Sequence, residues 1–208
     1  MLPAAVTHTC ERCLFQQRVC LCADIPVIET RTRVLIVRHH SERFRSSNSG
    51  RLAHLALPNS AIVEHGGTLG PAALTDLEDT WLVFPEGEPR ETIATPPRQL
   101  IFLDATWSQA RRMYRKLAAL RGLPILRLPA RAIATVSRMR EAPTPDRVST
   151  IEAIAQALRM IEGDAVGTAL EDLFQLAVQR AAMTGRTMQR DSANERSEPR
   201  GDGEGGGA

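Results

Sequence analysis

An acidic residue follows directly after a run of apolar residues near the middle of the chain. Leu100–Leu103 has the composition of a buried strand, Asp104 comes next, and a helix begins at once. In open α/β sheets, ligands bind at the carboxyl ends of strands and beside helix N-termini. Thr106 and Gln109 have the spacing of a capping box. Capping does not require a carboxylate at position 104, so Asp104 is a candidate functional residue, with stabilisation of the turn as the alternative.

All the cysteines of the chain lie together near its N-terminus, in a C-x2-C-x6-C-x-C pattern: Cys10, Cys13, Cys20 and Cys22. Four thiolates bind zinc tetrahedrally, and paired cysteines on two tight turns supply that geometry. A redox C-x-x-C is the competing interpretation, but it needs one pair at a strand–helix junction. The clustering argues against a disulfide framework for the whole chain. The pattern favours a structural zinc ion whose four ligands all come from the protein.

The elements that would position these residues alternate along the chain. Buried strands are predicted at 31–38, 61–63, 81–85, 100–103 and 125–128, and helices at 50–57, 108–120, 150–161 and 168–182. Ser149 and Glu152 form a second capping box. This alternation predicts an α/β domain with a mainly parallel sheet. The sequence contains neither G-x-G-x-x-G nor G-x-x-x-x-G-K, so dinucleotide and P-loop binding are not supported.

Composition and charge set the outer limits of the prediction. The chain has 208 residues, 43% of them hydrophobic, which is enough for one domain with an appendage. A net charge of +2 gives no global field that would indicate a polyanionic partner. No stretch is long and apolar enough for a membrane span or a signal peptide, so we expect a cytoplasmic enzyme or binding protein. We expect a zinc-binding segment at 1–30, a catalytic domain at 31–185 and a disordered polar, Gly-rich tail at 186–208.

The helix after Asp104 is predicted to have two different faces. Trp107, Ala110, Tyr114 and Leu117 share an apolar side, whereas the basic residues of the other side are Arg111, Arg112, Arg115 and Lys116. A solvated surface and a contact with RNA phosphates are equally compatible with this basic face.

The motifs together resemble the DTW-domain family, named for an Asp-x-Thr-Trp motif that is here Asp104–Trp107, extended by Gln109, Ala110 and Met113. Further matches, in the family's order from about Cys10 to Leu158, are the four cysteines with Arg12, His39-x-x-Glu42, Asn48-x-Gly50-Arg51, Leu82-x-Phe84-Pro85, Arg140-x-x-Pro143 and Ser149-Thr150-x-Glu152-Ala153. The chain departs from the family's usual residues at His40 (proline), Phe84 (tyrosine) and Ala105 (glycine).

The resemblance implies a tRNA-uridine 3-aminocarboxypropyltransferase. Such an enzyme moves the aminocarboxypropyl group of S-adenosylmethionine to the ring nitrogen N3 of a tRNA uridine and releases methylthioadenosine. The implied fold is SPOUT-like, with a mainly parallel sheet, helices on both faces and a C-terminal trefoil knot. The implied partner is tRNA, with no membrane and no obligate protein partner. The rival interpretations are an RNA methyltransferase that uses the same fold and cofactor, and a non-catalytic zinc-ribbon RNA-binding protein.

The resemblance also implies roles for individual residues. Asp104 would accept or orient the imide proton of uridine, and Trp107 would wall the cofactor pocket or stack on a base, a core position being the alternative for Trp107. The implied cofactor-binding residues are Phe84, Pro85, Leu103, Asp104, Thr106, Trp107, Arg140, Ser149, Thr150 and Glu152. The implied RNA-binding residues are Arg12, Arg18, His39, Glu42, Arg43, Arg45, Arg111, Arg112, Arg115 and Lys116.

Overall fold

A five-stranded sheet forms the centre of the protein in the computed structural model, which describes residues 9–86, 95–129 and 148–184. The strands are β1 (Arg33–His39), β2 (Ser60–His65), β3 (Thr80–Val83), β4 (Gln99–Asp104) and β5 (Ile125–Leu126). The helices are α1 (Ser49–Ala56), α2 (Trp107–Lys116), α3 (Thr150–Glu162) and α4 (Asp164–Ala182). Short 3-10 turns lie at Gln17–Val19, His40–Glu42, Gly67–Leu69 and Ala118–Leu120.

Every strand pair in this sheet is parallel, and the strand order is β2-β1-β4-β3-β5. β4 therefore lies at the centre of the sheet, with β1 on one side and β3 on the other. Arg38 of β1 is the register partner of both Asp104 on β4 and Glu64 on β2. The predicted α/β domain with a parallel sheet is confirmed, and Asp104 lies at the carboxyl end of its central strand, β4.

Both faces of the sheet are covered, because side chains alternate between faces along each strand. Val34 and Ile36 of β1 belong to a core that includes residues of α1, α3 and α4. Leu35 and Val37 belong to a second core, formed with α2 and the 3-10 turn after it. The continuous apolar character of the strands follows from this burial on two sides.

The predicted boundaries of the elements differ from the structure in several places, most of all at α2, α4 and β5. The final helix begins at Asp164 rather than at position 168, and Gly163 has a φ of 107°, which allows a sharp turn between α3 and α4. Gly167 lies where α4 approaches α3 closely, since an added Cβ would come within 2.8 Å of Arg159 Cβ. α2 ends at Lys116 because Leu117 is extended, and β5 covers only two of its four predicted residues.

The cysteine-containing segment packs into the main core. Cys13, Phe15 and Leu21 are buried in the same cluster as Phe174 of α4. Arg180 at the end of α4 donates to the carbonyl of Cys20 and to the carboxylate of Asp24, both at 2.8 Å. The N-terminal segment is therefore joined to the helical layer by packing and by directed hydrogen bonds.

Some predicted features lie outside the described residues: Arg140, the loop at 137–143 and the tail at 186–208. Within the part of the chain that the structure describes, none of the helices has both the length and the apolar character needed to cross a membrane.

Candidate functional site

Asp104 is the last residue of β4, and its carboxylate is held from two directions. Asn48 Nδ2 donates to Asp104 Oδ2 at 2.5 Å, and Thr150 Oγ1 donates to Asp104 Oδ1 at 2.7 Å. Only 4% of Asp104 is exposed. The two donors come from the start of α1 and the start of α3, so three separate segments meet at one carboxyl group.

The side-chain amide of Asn48 is held in one orientation, with its N–H group toward Asp104, because its oxygen already accepts another hydrogen bond. Asn48 Oδ1 caps α1 by accepting from the backbone N–H of Arg51 at 2.7 Å, which leaves Nδ2 to face Asp104. Gly50 lies just beyond, and an added Cβ would be 2.8 Å from Asp104 Cγ. The Asn48-x-Gly50-Arg51 motif thus encodes a helix cap, a donor to the carboxylate and the space that the carboxylate needs.

The electrostatic environment raises the pKa of Asp104. Burial is the largest cause, since removing a carboxylate from water penalises its charged form. The hydrogen bonds from Asn48 and Thr150 act in the opposite direction without cancelling the effect of burial. Nearby Glu42 adds to the rise in pKa and Arg38 opposes it. The site can therefore hold a proton on a carboxyl group that would be ionised in water at the same pH.

The start of α3 is built to meet this carboxylate. The carboxylate of Glu152 accepts from the backbone N–H of Ser149 at 2.8 Å, as the predicted second capping box requires. The backbone N–H of Ile151 donates to Ser49 Oγ at 3.4 Å, which links the first turns of α3 and α1. Two helix N-termini converge on Asp104, and helix N-termini favour negative charge.

The turn from β4 into α2 contains the predicted capping box. The backbone N–H of Thr106 donates to Gln109 Oε1 at 3.0 Å, and the backbone N–H of Gln109 donates to Thr106 Oγ1 at 3.4 Å. Gln109 Nε2 also reaches Ser41 Oγ at 3.3 Å, and that hydroxyl lies 2.8 Å from His39 Nδ1. The first turn of α2 is thereby connected to the end of β1.

The residues expected to bind the cofactor differ in accessibility. Phe84 is buried, and the centre of its ring lies 4.7 Å from that of the Tyr114 ring. Phe84 therefore packs in the core beneath the segment that follows β3. Pro85 is exposed, Leu103 and Trp107 are half-buried, and Glu152 is buried. The described members of the set surround the carboxyl ends of β3 and β4 and the start of α3.

The four cysteine thiols form a compact cluster. Their sulfurs all lie within 4.8 Å of one another, with Cys10 Sγ 3.6 Å from Cys22 Sγ and Cys13 Sγ 3.7 Å from Cys20 Sγ. A tetrahedron with zinc–sulfur distances of about 2.3 Å separates its sulfurs by about 3.8 Å. Burial, followed by the adjacent cysteines, raises the pKa of Cys22 to about 12. Four sulfurs at these separations fit the tetrahedral coordination of a zinc ion.

The basic residues expected to meet RNA lie in two places. Arg12, Arg18 and Arg43 are exposed, whereas Arg45 is half-buried beside Glu42, with 3.6 Å between Nε and a carboxylate oxygen. On α2, four exposed basic residues form one face: Arg111, Arg112, Arg115 and Lys116. Arg111 is paired with Glu86 at 2.5 Å.

Glu42 and His39 were also expected to meet RNA, but their positions are different. Glu42 is only 2% exposed, and His39 packs against His40. Glu42 and His39 therefore shape the loop after β1.

Asn48 and Gly50 belong to the family motif, but no role could be assigned to them from the sequence. The helix cap at Asn48 could have been found, because asparagine before a helical segment is a common N-cap. Its contact with Asp104 could not, since the two residues are 56 positions apart.

Comparisons with known proteins identify the family of this chain. The family model described as the DTW domain matches residues 7–182. Two curated relatives named tRNA-uridine aminocarboxypropyltransferase 2 are each 28% identical and cover 74% of this chain: the Drosophila melanogaster protein, over 67% of its own length, and the Mus musculus protein, over 56%. The tRNA-uridine aminocarboxypropyltransferase A of Arabidopsis thaliana is 28% identical over 74% of this chain and 73% of its own length. The chain thus spans little more than half of the mouse relative. No solved structure matches it.

Proposed function

Because this chain belongs to the DTW-domain family, we propose that it is a tRNA-uridine aminocarboxypropyltransferase. It transfers the 3-amino-3-carboxypropyl group of S-adenosylmethionine to N3 of a uridine in tRNA and releases methylthioadenosine. The names of the similar proteins support the activity. The observation that carries the proposal is the buried Asp104 carboxyl group, the first residue of the family's motif, held at the carboxyl end of a central parallel strand.

The proposed reaction is a nucleophilic displacement at carbon. S-adenosylmethionine supplies a carbon chain activated by a positively charged sulfur. The N3–carbon bond forms as the carbon–sulfur bond breaks, the electron pair stays on sulfur, and the N3 proton passes to a base. The protein has to orient the γ carbon rather than the methyl group toward N3, which is a task of positioning.

Asp104 is suited to receive or orient the N3 proton. A free aspartate has a pKa of about 3.9, far below that of an imide, so a rise in its pKa improves its match to the proton it receives. The raised pKa of buried Asp104 is in that direction. Each oxygen already accepts one hydrogen bond from the protein, and each retains a further lone pair for a substrate.

The pocket for S-adenosylmethionine is proposed along the ends of β3 and β4 and the start of α3. Its members are Phe84, Pro85, Leu103, Asp104, Thr106, Trp107, Arg140, Ser149, Thr150 and Glu152. Because Phe84 and Glu152 are buried, their part is to support the walls, while Trp107 and Pro85 are accessible to a ligand.

The tRNA would approach over the exposed arginines near the N-terminal segment and the basic face of α2. Zinc, bound by Cys10, Cys13, Cys20 and Cys22, would hold Arg12 and Arg18 in place as a structural ion. Lysine and arginine contacts to phosphates supply most of the affinity of such an interface, and that affinity decreases with salt.

We also propose the finer fold of the resemblance, a SPOUT-like domain with a C-terminal trefoil knot. The support is that the chain leaves the sheet at the edge strand β5 and returns to its centre, where Thr150 reaches the end of β4.

Position-specific labelling of the donor tests the reaction. S-adenosylmethionine labelled in the carboxyl carbon should transfer label to tRNA, whereas the same donor labelled in the methyl group should not. Transfer of the methyl label alone would identify an RNA methyltransferase instead. Binding of tRNA with transfer of neither label and no binding of S-adenosylmethionine would identify a non-catalytic RNA-binding protein. Asp104→Asn is the matched inactive control.

A further inference from the structure

Phe44 stands apart from every other aromatic residue of the chain. The sequence contains five Phe, two Trp and one Tyr, and all eight lie within the described residues. Seven are buried or half-buried, whereas 78% of Phe44 is exposed. The sequence is poor in aromatic residues, so a single ring turned toward water does not follow from composition.

An arginine side chain contacts this ring, and a second arginine fixes the backbone next to it. The guanidinium carbon of Arg43 lies 5.1 Å from the centre of the Phe44 ring, within the range of a cation–π contact. Arg51 fixes the backbone beneath, because its Nη2 donates to the carbonyl of Arg43 at 3.1 Å and its Nη1 to the carbonyl of Arg12 at 3.2 Å. One guanidinium thus brings the exposed residues Arg12 and Arg43 to the same part of the surface.

Phe44 is also tied to the Asp104 site. It lies four residues before Asn48, so its Cα is at most about 14 Å from that of Asn48. Asn48 is in direct contact with Asp104. The segment between β1 and α1 therefore presents Phe44 near its middle and a donor to the site carboxylate at its C-terminal end.

We propose that Phe44 and Arg43 form a stacking platform for an unpaired base of the RNA substrate, beside the nucleotide that enters the Asp104 site. An aromatic face flanked by arginines is how proteins bind single-stranded nucleic acid, with stacking on the ring and charge attraction to the phosphates. A protein partner would require a contiguous apolar patch, and the residues on both sides of Phe44 are arginines. This proposal rests on the proposed function only in taking RNA as the substrate.

Substitution at Phe44 tests the proposal through equilibrium binding of tRNA without the donor. Phe44→Ala should weaken binding by about 5- to 150-fold, the range for loss of one stacked base. Phe44→Leu keeps an apolar side chain without an aromatic face and should weaken binding similarly. Phe44→Trp should retain affinity, and fluorescence of the new tryptophan should be quenched when RNA binds. Met160→Ala removes an exposed apolar side chain on α3 and serves as the control.

Salt dependence separates stacking from charge. Phe44→Ala should leave the slope of affinity against salt unchanged, whereas Arg43→Ala should reduce it by about 0.7–0.9, the amount for one phosphate contact. Equal affinities for the wild type, Phe44→Leu and Phe44→Ala would overturn the platform, as would failure of the wild type to bind tRNA. If tRNA binds with the expected dependence on Phe44 but no carboxyl label is transferred, the proposed function alone fails.

Discussion

Asp104 is removed from bulk water, and its charge is governed by burial and by hydrogen bonds from two side chains. Asn48 cannot reverse its amide because Arg51 N–H holds the other amide atom, whereas the Thr150 hydroxyl can rotate to donate or accept. An asparagine in place of Asp104 can therefore accept from Asn48 and donate to Thr150. Asp104→Asn keeps the shape of the site while removing its charge.

The stability of the wild type relative to Asp104→Asn is expected to fall as pH rises. The folded-state pKa of Asp104 is raised, so the folded protein keeps this proton above pH 4 while the unfolded chain has lost it. The contribution to stability is complete below the unfolded pKa of about 3.9 and is lost as pH rises through the folded pKa. Urea unfolding at a series of pH values measures the difference.

Asp172→Asn changes an exposed carboxylate on α4 and is the control for that series. Its unfolding free energy should follow that of the wild type at each pH. A difference between wild type and Asp104→Asn that stays constant with pH would show that Asp104 ionises as it does in the unfolded chain.

At the scale of elements, two helix starts and one strand end build the site together. The caps were readable from the sequence, because Thr106 with Gln109 and Ser149 with Glu152 are local patterns. Strand positions were also readable, from runs of branched apolar residues. The order of the strands and the contact between the starts of α1 and α3 could not be predicted from the sequence, because they depend on residues far apart in the chain.

The start of α3 can be tested by changing Thr150 in two ways. Thr150→Val preserves size and removes the donor to Asp104, so transfer to tRNA should slow by about 10- to 100-fold, the usual effect of losing a hydrogen bond to a charged group. Thr150→Ser retains the hydroxyl and should retain most of the rate. Single-turnover transfer provides the measurement, with circular dichroism to check that α3 is intact. Equal rates for the two variants would show that the Thr150 hydroxyl group does not contribute to transfer.

At the scale of the whole molecule, the N-terminal segment is part of the main core. The sequence predicts a zinc-binding segment at 1–30, but not the elements against which it packs. The structure packs Cys13 and Leu21 against α4 and ties Cys20 and Asp24 to Arg180. Such packing could not be read from spacing, because apolar residues between metal ligands face a core only when another element covers them.

Removal of the metal should therefore destabilise the entire domain. We expect one zinc ion per chain by elemental analysis, and a single thermal transition whose midpoint falls when a chelator is added, because the thiols share a core with α4. Affinity for tRNA should fall as well, since Arg12 is carried between two of the ligands. Cys22→Ser should reproduce both effects without chelator. Two separate transitions, with only the first sensitive to chelator, would contradict a shared core.

Asp104, where three separate segments of the chain meet, also sets an order of events during protein synthesis. Its donors lie 56 residues before it and 46 residues after it. A ribosome delivers the chain from its N-terminus, so β1, α1 and β4 emerge while α3 is still missing. Until Thr150 arrives, the carboxylate has the donor from Asn48 but not the donor from α3. Arrival of the first residue of α3 therefore completes the site, and a chain truncated before it carries the family's motif with only one of the two donors to its aspartate.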